Sequence, residues 1–374
     1  MRRTPLSGLI TVGCAALCGL LAGPAVQAAQ AAPAPASAQA GGVVRAPDIT
    51  ADPSPITGIS ADSSKDAWAA GQQLLHWNGK TWSKAADPVS TAMLQAVKAL
   101  SPVNAWAVGT YCPVSSCATF DPLILHWNGK TWSKVASPAI QGELYGIDAV
   151  SATNVWAVGQ SKGKSTTSTL IEHWNGKAWS KTASPSPGTL DGLRSVSVVS
   201  ATNAWAVGGY DTTSFQLDTL ILHWNGKTWS KVASPSLPGG DELYGVSAAS
   251  GTSAWAVGSY DSIAETHPLL LRWNGKTWSS VASPKAGVGG ELNAVSAASA
   301  SSVWAVGYYS TAAGFYTQIL HWNGKVWSKT AGTVKLEMLN AVSKAPGNAA
   351  WAAGSDGAGN SLLLHWNGKN WSRT

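Results

Sequence analysis

The sequence predicts an all-β fold, a seven-bladed β-propeller with four antiparallel strands in each blade. Three observations predict it. One string, Trp-Asn-Gly-Lys-x-Trp-Ser, occurs seven times, beginning at Trp77, Trp127, Trp174, Trp224, Trp273, Trp322 and Trp366. A second, Ala/Val-Trp-Ala-Val/Ala-Gly, also occurs seven times, with its indoles at Trp68, Trp106, Trp156, Trp205, Trp255, Trp304 and Trp351. The two alternate, copies of the first starting 44 to 50 residues apart, and together they use all 21 tryptophans. A period in the forties containing four short apolar runs is the pattern of propeller blades.

Ahead of the repeats, Arg2 and Arg3 precede an apolar stretch from Leu6 to about Ala22. Small residues follow, with Val26-Gln27-Ala28 and Ala29-Gln30-Ala31 as cleavage sites. Residues 1–30 read as a signal peptide, too short and too rich in Gly and Ala for a membrane span. Cys14, after Thr11-Val12-Gly13, leaves a lipid-anchored form open beside free secretion. Residues 31–55, rich in Ala and Pro, read as a linker. The expected location is extracellular or at the cell surface. Cys112 and Cys117, five apart, are expected to form a disulfide there rather than a metal site. The net charge is +6, or +4 without Arg2 and Arg3, and charged residues are only 12% of the chain. Such a mild excess argues against a nucleic-acid partner.

The propeller is expected over residues 56–374, with blades at about 56–88, 93–138, 143–185, 192–235, 242–284, 291–332 and 337–374. Blade 5 shows the elements in order: strand a at 243–248, b at 254–257, c at 269–273 and d at 277–282. Asn-Gly between apolar runs predicts a two-residue type I′ hairpin between c and d. That turn would pair Trp127 with Lys130, His126 with Thr131 and Leu125 with Trp132. Alternation then puts Leu123, Leu125, Trp127 and Trp132 on one face of the blade and Ile124, His126, Thr131 and Ser133 on the other. Both faces carry bulk, as a sheet packed between two neighbours requires. The third position of strand a is always small (Gly58, Ala96, Gly146, Ser195, Gly245, Ala294, Ala341), so a is the inner strand. Lys84, Lys134, Lys181, Lys231, Lys329 and Arg373 mark strand d as the outer edge, where charge blocks edge-to-edge association. The last strand d stops at Thr374, about three residues early, and Val43 and Val44 are candidates to pair there.

The repeat resembles the kelch type, as in kelch scaffolds and the central domain of galactose oxidase. Blade 4 carries the likeness, in Trp205-Ala206-Val207-Gly208-Gly209-Tyr210-Asp211 and in Leu222-His223-Trp224 through Trp229-Ser230. The chain is also similar to Trp-rich secreted propeller proteins of actinobacteria, a likeness that implies no activity. Asn-Gly-Lys-Thr-Trp-Ser resembles a degenerate Asp-box, the turn of sialidase-type propellers.

The strand order puts the a–b and c–d turns on one face, the bottom, and the variable b–c loops and d–a links on the other. All eight Tyr and all three Phe (Phe120, Phe215, Phe315) fall on the top. So do Asp121, Asp211, Asp218, Asp241, Glu242, Asp261, Glu265 and Glu291. Variable loops on a rigid frame are where specificity resides. The candidate ligand residues are therefore Tyr111, Tyr145, Arg194, Tyr210, Asp211, Tyr244, Tyr260, Asp261, Tyr308, Tyr309 and Tyr316. The bottom carries a lysine in every turn (Lys80, Lys130, Lys177, Lys227, Lys276, Lys325, Lys369). That ring reads either as solvated turn positions or as an attractor of anionic envelope polymer.

Six of seven His share one strand position, His76, His126, His173, His223, His321 and His365, which argues for packing or hydrogen bonding. Arg272 stands there in blade 5, which a metal ligand would not permit. Chemistry of the galactose-oxidase type needs a Cys–Tyr crosslink and paired His on copper, and the sialidase type needs an arginine cluster. Neither set is present, so no cofactor or metal is expected. The expectation is a monomeric, non-enzymatic, secreted binding scaffold for carbohydrate or cell-envelope material. A kelch-like scaffold for an extracellular protein is the first alternative. A polysaccharide hydrolase or lyase using Asp211 and Asp261 is the second.

Overall fold

The structure is a computed structural model that describes residues 54–374 except 114–116, 118, 139–140, 212–215, 236, 238 and 331–336. The expected signal peptide, nearly all of the expected linker, Phe215, and Val43 and Val44 with their expected pairing lie outside the described residues.

Seven four-stranded antiparallel sheets are present, each built from consecutive strands in the order a-b-c-d. Among the described residues no strand is exchanged between blades. In blade 3, for example, a is Gly142–Ser151, b is Asn154–Lys162, c is Thr167–Trp174 and d is Trp179–Lys181. Each strand a packs against those of the two neighbouring blades, and Ile56–Ala61 of blade 1 meets Met338–Lys344 of blade 7 to close the ring. Crowding at the centre explains the small third position. A Cβ on Gly146 would lie 2.9 Å from the Arg194 carbonyl oxygen of the next blade.

The tryptophans are the mortar between blades. The strand b indole of each blade meets the c and d indoles of the next. Trp68 lies 4.9 Å from both Trp127 and Trp132, edge-to-face with the latter. The same triad recurs at every interface, including the closing one, where Trp351 lies 5.1 Å from Trp77 and from Trp82. The b indoles are fully buried, whereas the c indoles are half-buried over most of the ring. In six blades the c indole N–H donates to a carbonyl of the a–b turn, as Trp127 does to Pro102 at 3.1 Å. Each repeated histidine lies against the b indole of its own blade, as His173 does on Trp156 at 4.1 Å. Its Nε2 reaches the start of strand b, 2.9 Å from Asn154 Oδ1. The repeated position is thus a packing one in all six blades and a hydrogen-bonding one in five, those of His76, His126, His173, His223 and His321.

The c–d hairpin departs from the expected register. Trp127 pairs with Trp132, His126 with Ser133 and Leu125 with Lys134. The connection is four residues, Asn128 to Thr131, not two. The reason lies in the asparagine side chain. Asn128 Oδ1 accepts the amides of both Lys130 and Thr131 at 3.0 Å, an Asx-type turn. Only the glycine has positive φ (+92° at Gly129), so the turn is not type I′, which needs two such residues. The register moves by an even number, so the faces survive. Leu123, Leu125, Trp127 and Trp132 share one core with Trp68, and Ile124 joins the next.

The last strand d, Trp371–Arg373, is as long as those of blades 2 to 6. It does not stop early. Closure rests on side chains instead. Ser343 Oγ accepts the Ala61 amide (3.1 Å), Asn340 Nδ2 donates to the Ile56 carbonyl (3.0 Å) and Ser361 Oγ donates to the Ser54 carbonyl (2.7 Å).

Candidate functional site

Two rings of side chains line the central channel, one per turn of the inner strands. The lower ring holds the blades together. Ser60, Ser197, Ser247, Ser296 and Ser343 each accept the backbone amide of the next inner strand, at 2.9 to 3.1 Å. Asp148 does the same for Val198 (2.7 Å) and pairs with Lys98 at 2.6 Å.

The upper ring is of another kind. In every blade, strand a carries a β-bulge opposite the glycine that ends Trp-Ala-Val/Ala-Gly. In blade 3, Leu144 faces Gly159 and Gly146 faces Val158, leaving Tyr145 as the extra residue. The glycine is required for the close approach: a Cβ on Gly159 would lie 1.9 Å from the Glu143 carbonyl oxygen. The seven bulged residues are Thr57, Gln95, Tyr145, Arg194, Tyr244, Asn293 and Asn340. All seven line a channel of about 700 Å³. A bulge re-aims a side chain that regular pairing would direct elsewhere.

These residues are not equivalent. Thr57, Asn293 and Asn340 are spent on the next blade, hydrogen-bonding the carbonyls of Leu94, Leu339 and Ile56 at 2.8 to 3.0 Å. Blades 3 to 5 instead offer Tyr145, Arg194 and Tyr244 in succession. The Arg194 guanidinium lies over the Tyr145 ring, 4.7 Å from its centroid, and its Nε donates to Glu242 Oε1 at 2.8 Å. Burial works against that charge, but Glu242, Tyr145 and Tyr244 together outweigh it and keep the guanidinium protonated. The Tyr145 hydroxyl donates to Glu143, which also accepts from Gln160 Nε2 at 3.2 Å. The Tyr244 hydroxyl is 3.1 Å from Ser259 Oγ. Burial raises the pKa of both phenols, so both keep their protons. In blade 6, Tyr308 pairs with Glu291 across strands a and b, and the two groups perturb one another. Burial, then the charges of Glu242 and Asp261, pushes Glu291 up to about 7. The mouth is thus an arc of phenols, one guanidinium and three carboxylates spanning blades 3 to 6.

Of the candidates read from sequence, Tyr145, Arg194, Tyr244 and Tyr308 come together at this mouth. The others lie further out. Tyr111, Tyr210 and Tyr309 end strand b and are covered by strand d lysines, with Lys134, Lys231 and Lys329 at 3.4, 3.8 and 4.3 Å from the ring centroids. Tyr309 also stacks on Tyr316 at 5.3 Å, and Tyr260 lies 5.1 Å from His267. Asp211 and Asp261 each serve their own loops. Asp211 accepts the Thr189 hydroxyl and the amides of Leu190 and Thr189, which hold its carboxyl below the usual range. Asp261 accepts the Thr266 hydroxyl at 2.7 Å. Cys112 and Cys117 form the expected disulfide. Sequence reasoning missed Thr57, Gln95, Glu143, Asn293 and Asn340. The signal was present: one variable position between a near-constant Leu and a constant small residue in strand a.

Among the described residues no group of three or more His, Cys, Asp or Glu side chains could hold a metal. No helix among them is long and apolar enough to cross a membrane.

No family model matches the chain, and no curated protein matches it in sequence. Solved structures do match in fold. A streptogramin B lyase is 12% identical with a TM-score of 0.59, covering 87% of this chain and 95% of its own. A polysaccharide lyase, an ulvan lyase bound to a -[GlcA(1-4)Rha3S]- saccharide, is 9% identical with a TM-score of 0.57, covering 87% and 94%. YCF48 from Cyanidioschyzon merolae is 16% identical with a TM-score of 0.55, covering 85% and 97%, and YCF48 also matches in a complex with a D1 peptide. At such identities the likeness is one of fold. Propellers of this shape include enzymes and binding proteins, with saccharide and peptide ligands.

Proposed function

We propose that the protein is a secreted, non-enzymatic binding propeller that takes a carbohydrate segment of the cell envelope into the mouth of its central channel. The observation that carries this reading is the divergence of the bulged position. The neighbouring positions of strand a repeat around the ring, but this one becomes Tyr145, Arg194 and Tyr244 on three successive blades. Phenol rings offer flat faces to the C–H surface of a sugar. Arg194, Glu143, Glu242 and Glu291 offer hydrogen bonds in several directions to hydroxyls. The channel volume lies within the range of small-ligand sites.

The kelch-like character of the repeat and its likeness to Trp-rich secreted propellers of actinobacteria belong to the same proposal, and both favour a scaffold. A glycan array that includes bacterial cell-wall fractions tests it. Selective binding is expected, weakened about tenfold or more in Tyr244→Ala and Arg194→Gln with the melting midpoint retained. A blank array would sink the carbohydrate reading and move the weight to an extracellular protein partner, sought by pull-down from culture medium.

A polysaccharide lyase or hydrolase is the second reading. One observation favours it: Glu291, poised near neutrality beside Tyr308, has the character of a general acid or base. Turnover on a polysaccharide panel that is lost in Glu291→Gln would establish that reading in place of the first.

A further inference from the structure

On the face opposite the channel mouth, each c–d turn presents one lysine: Lys80, Lys130, Lys177, Lys227, Lys276, Lys325 and Lys369. All seven are exposed. The turn does not need their side chains. It needs the asparagine oxygen as acceptor, the glycine at positive φ, and from the lysine only its backbone amide, which donates to the asparagine at 2.9 to 3.0 Å in every blade. Among the described residues no ion pair or ring contact engages any of the seven ammonium groups. Yet the position is Lys in all seven copies. The next residue, exposed in six of them, has drifted to Ala178, Val326 and Asn370 from the Thr of the other four. Copies that have diverged at one exposed position, yet kept a charge at its neighbour that packing does not demand, point to a use for the charge.

The rest of this face agrees. Lys65 and Lys344 add to the ring. The a–b turns contribute two acids, Asp62 and Asp66, and Asp66 is tied to His76 at 2.6 Å. The other acids lie in the channel, in a blade interior or on the top. The molecule therefore has a basic bottom and an acidic top. We infer that the bottom face is a docking surface for an extended polyanionic polymer, one carrying a phosphate or carboxylate on each repeating unit, held by several turn lysines at once. A bilayer is the poorer occupant. The large apolar side chains exposed at this end are only three valines, Val103, Val150 and Val326, one each on blades 2, 3 and 6. The strand c indoles are drawn back onto the a–b turns. This surface is separate from the channel mouth and does not depend on its ligand.

Binding of the purified protein to polyphosphate and to polygalacturonate, with dextran as the uncharged polymer, tests the inference. Binding to at least one polyanion is expected, falling steeply as salt rises from about 50 to 200 mM through loss of counterion release. Polyphosphate alone would assign phosphate as the recognised group, and polygalacturonate alone would assign carboxylate. In Lys130→Gln/Lys177→Gln/Lys227→Gln, affinity should fall about tenfold or more and the slope of log K against log salt should flatten by about 2 to 3. The melting midpoint should hold, since the turns keep their backbone bonds. Lys162→Gln/Lys164→Gln/Lys285→Gln removes the same charge from exposed top-face loops and should stay within about twofold of wild type. Equal losses in the two triple variants would overturn the inference, as would equal binding to dextran or no binding to either polyanion. Binding to vesicles of 3:1 phosphatidylcholine and phosphatidylglycerol without binding to the polymers would also overturn it, in favour of a membrane.

Discussion

At the scale of single residues, the repeat makes its own exceptions visible. Strand c places Leu before His in five blades (Leu222-His223 in blade 4) and before Arg272 in blade 5, but blade 3 has Glu172. The carboxylate is fully buried. It accepts from the Ser137 hydroxyl at 2.9 and 3.0 Å, and burial pushes its pKa up to about 7 against those bonds and the nearby Lys181. The folded pKa lies above the unfolded one, so the protonated form suits the fold. The stability it contributes is present below about pH 4.5 and is lost as pH rises through about 7. Glu172→Leu should therefore stabilise the protein at pH 8, by up to about 3 kcal/mol, and by much less at pH 5. Urea midpoints at the two pH values check this; equal gains at both would contradict it. Glu291 titrates in the same window, so the variant keeps part of the pH dependence. The odd residue was legible in the repeat, but its burial and shifted proton were not, because both depend on how closely blades 2 and 3 pack.

At the scale of elements, the inner strand is informative. Sequence identified it by its small third residue, which crowding at the axis explains. The bulge was not read, although the glycine opposite it recurs seven times, because pairing register is a property of two strands together. The hairpin error has the same origin. Asn-Gly is a turn signal in both registers, and only the side-chain bonds of Asn128 choose the four-residue form. The bulge also couples fold to site. Gly159→Ala should cost about 1–3 kcal/mol through its collision with the Glu143 carbonyl. It should also weaken ligand binding, because Tyr145 and Glu143 flank the displaced backbone. A loss of stability with unchanged affinity would separate the bulge from the site.

At the scale of the whole molecule, the question is how a ring closes when no strand is shared between its ends. The seam between blades 7 and 1 uses the parts of the internal interfaces: an indole triad, a serine accepting an inner-strand amide as at four of them, and a common apolar core joining Ile56, Leu75 and Trp82 to Trp351 and Leu363. Trp351→Ala should then destabilise the protein as much as Trp205→Ala at an internal interface, about 3–5 kcal/mol each. If Trp351→Ala were much milder, the seam would be a weak point and the ring open in solution. Hydrogen exchange of the blade 1 and blade 7 inner strands gives an independent reading.

Fold class, blade number, strand order, blade faces, the disulfide and the charge difference between top and bottom were determined by the sequence alone. The disulfide is announced by two cysteines five apart; the others are written in local periodicity and repeated seven times, so one misread copy cannot mislead. The clustering of Tyr145, Arg194, Tyr244 and Tyr308 with three glutamates, and the separation of these from Tyr111, Tyr210 and Tyr309, were decided only by the tertiary structure. Residues about 50 apart in sequence, one from each blade, become neighbours only when the ring closes. Which residue of a blade then faces the channel is settled by a bulge and by the crowding of seven inner strands around one axis.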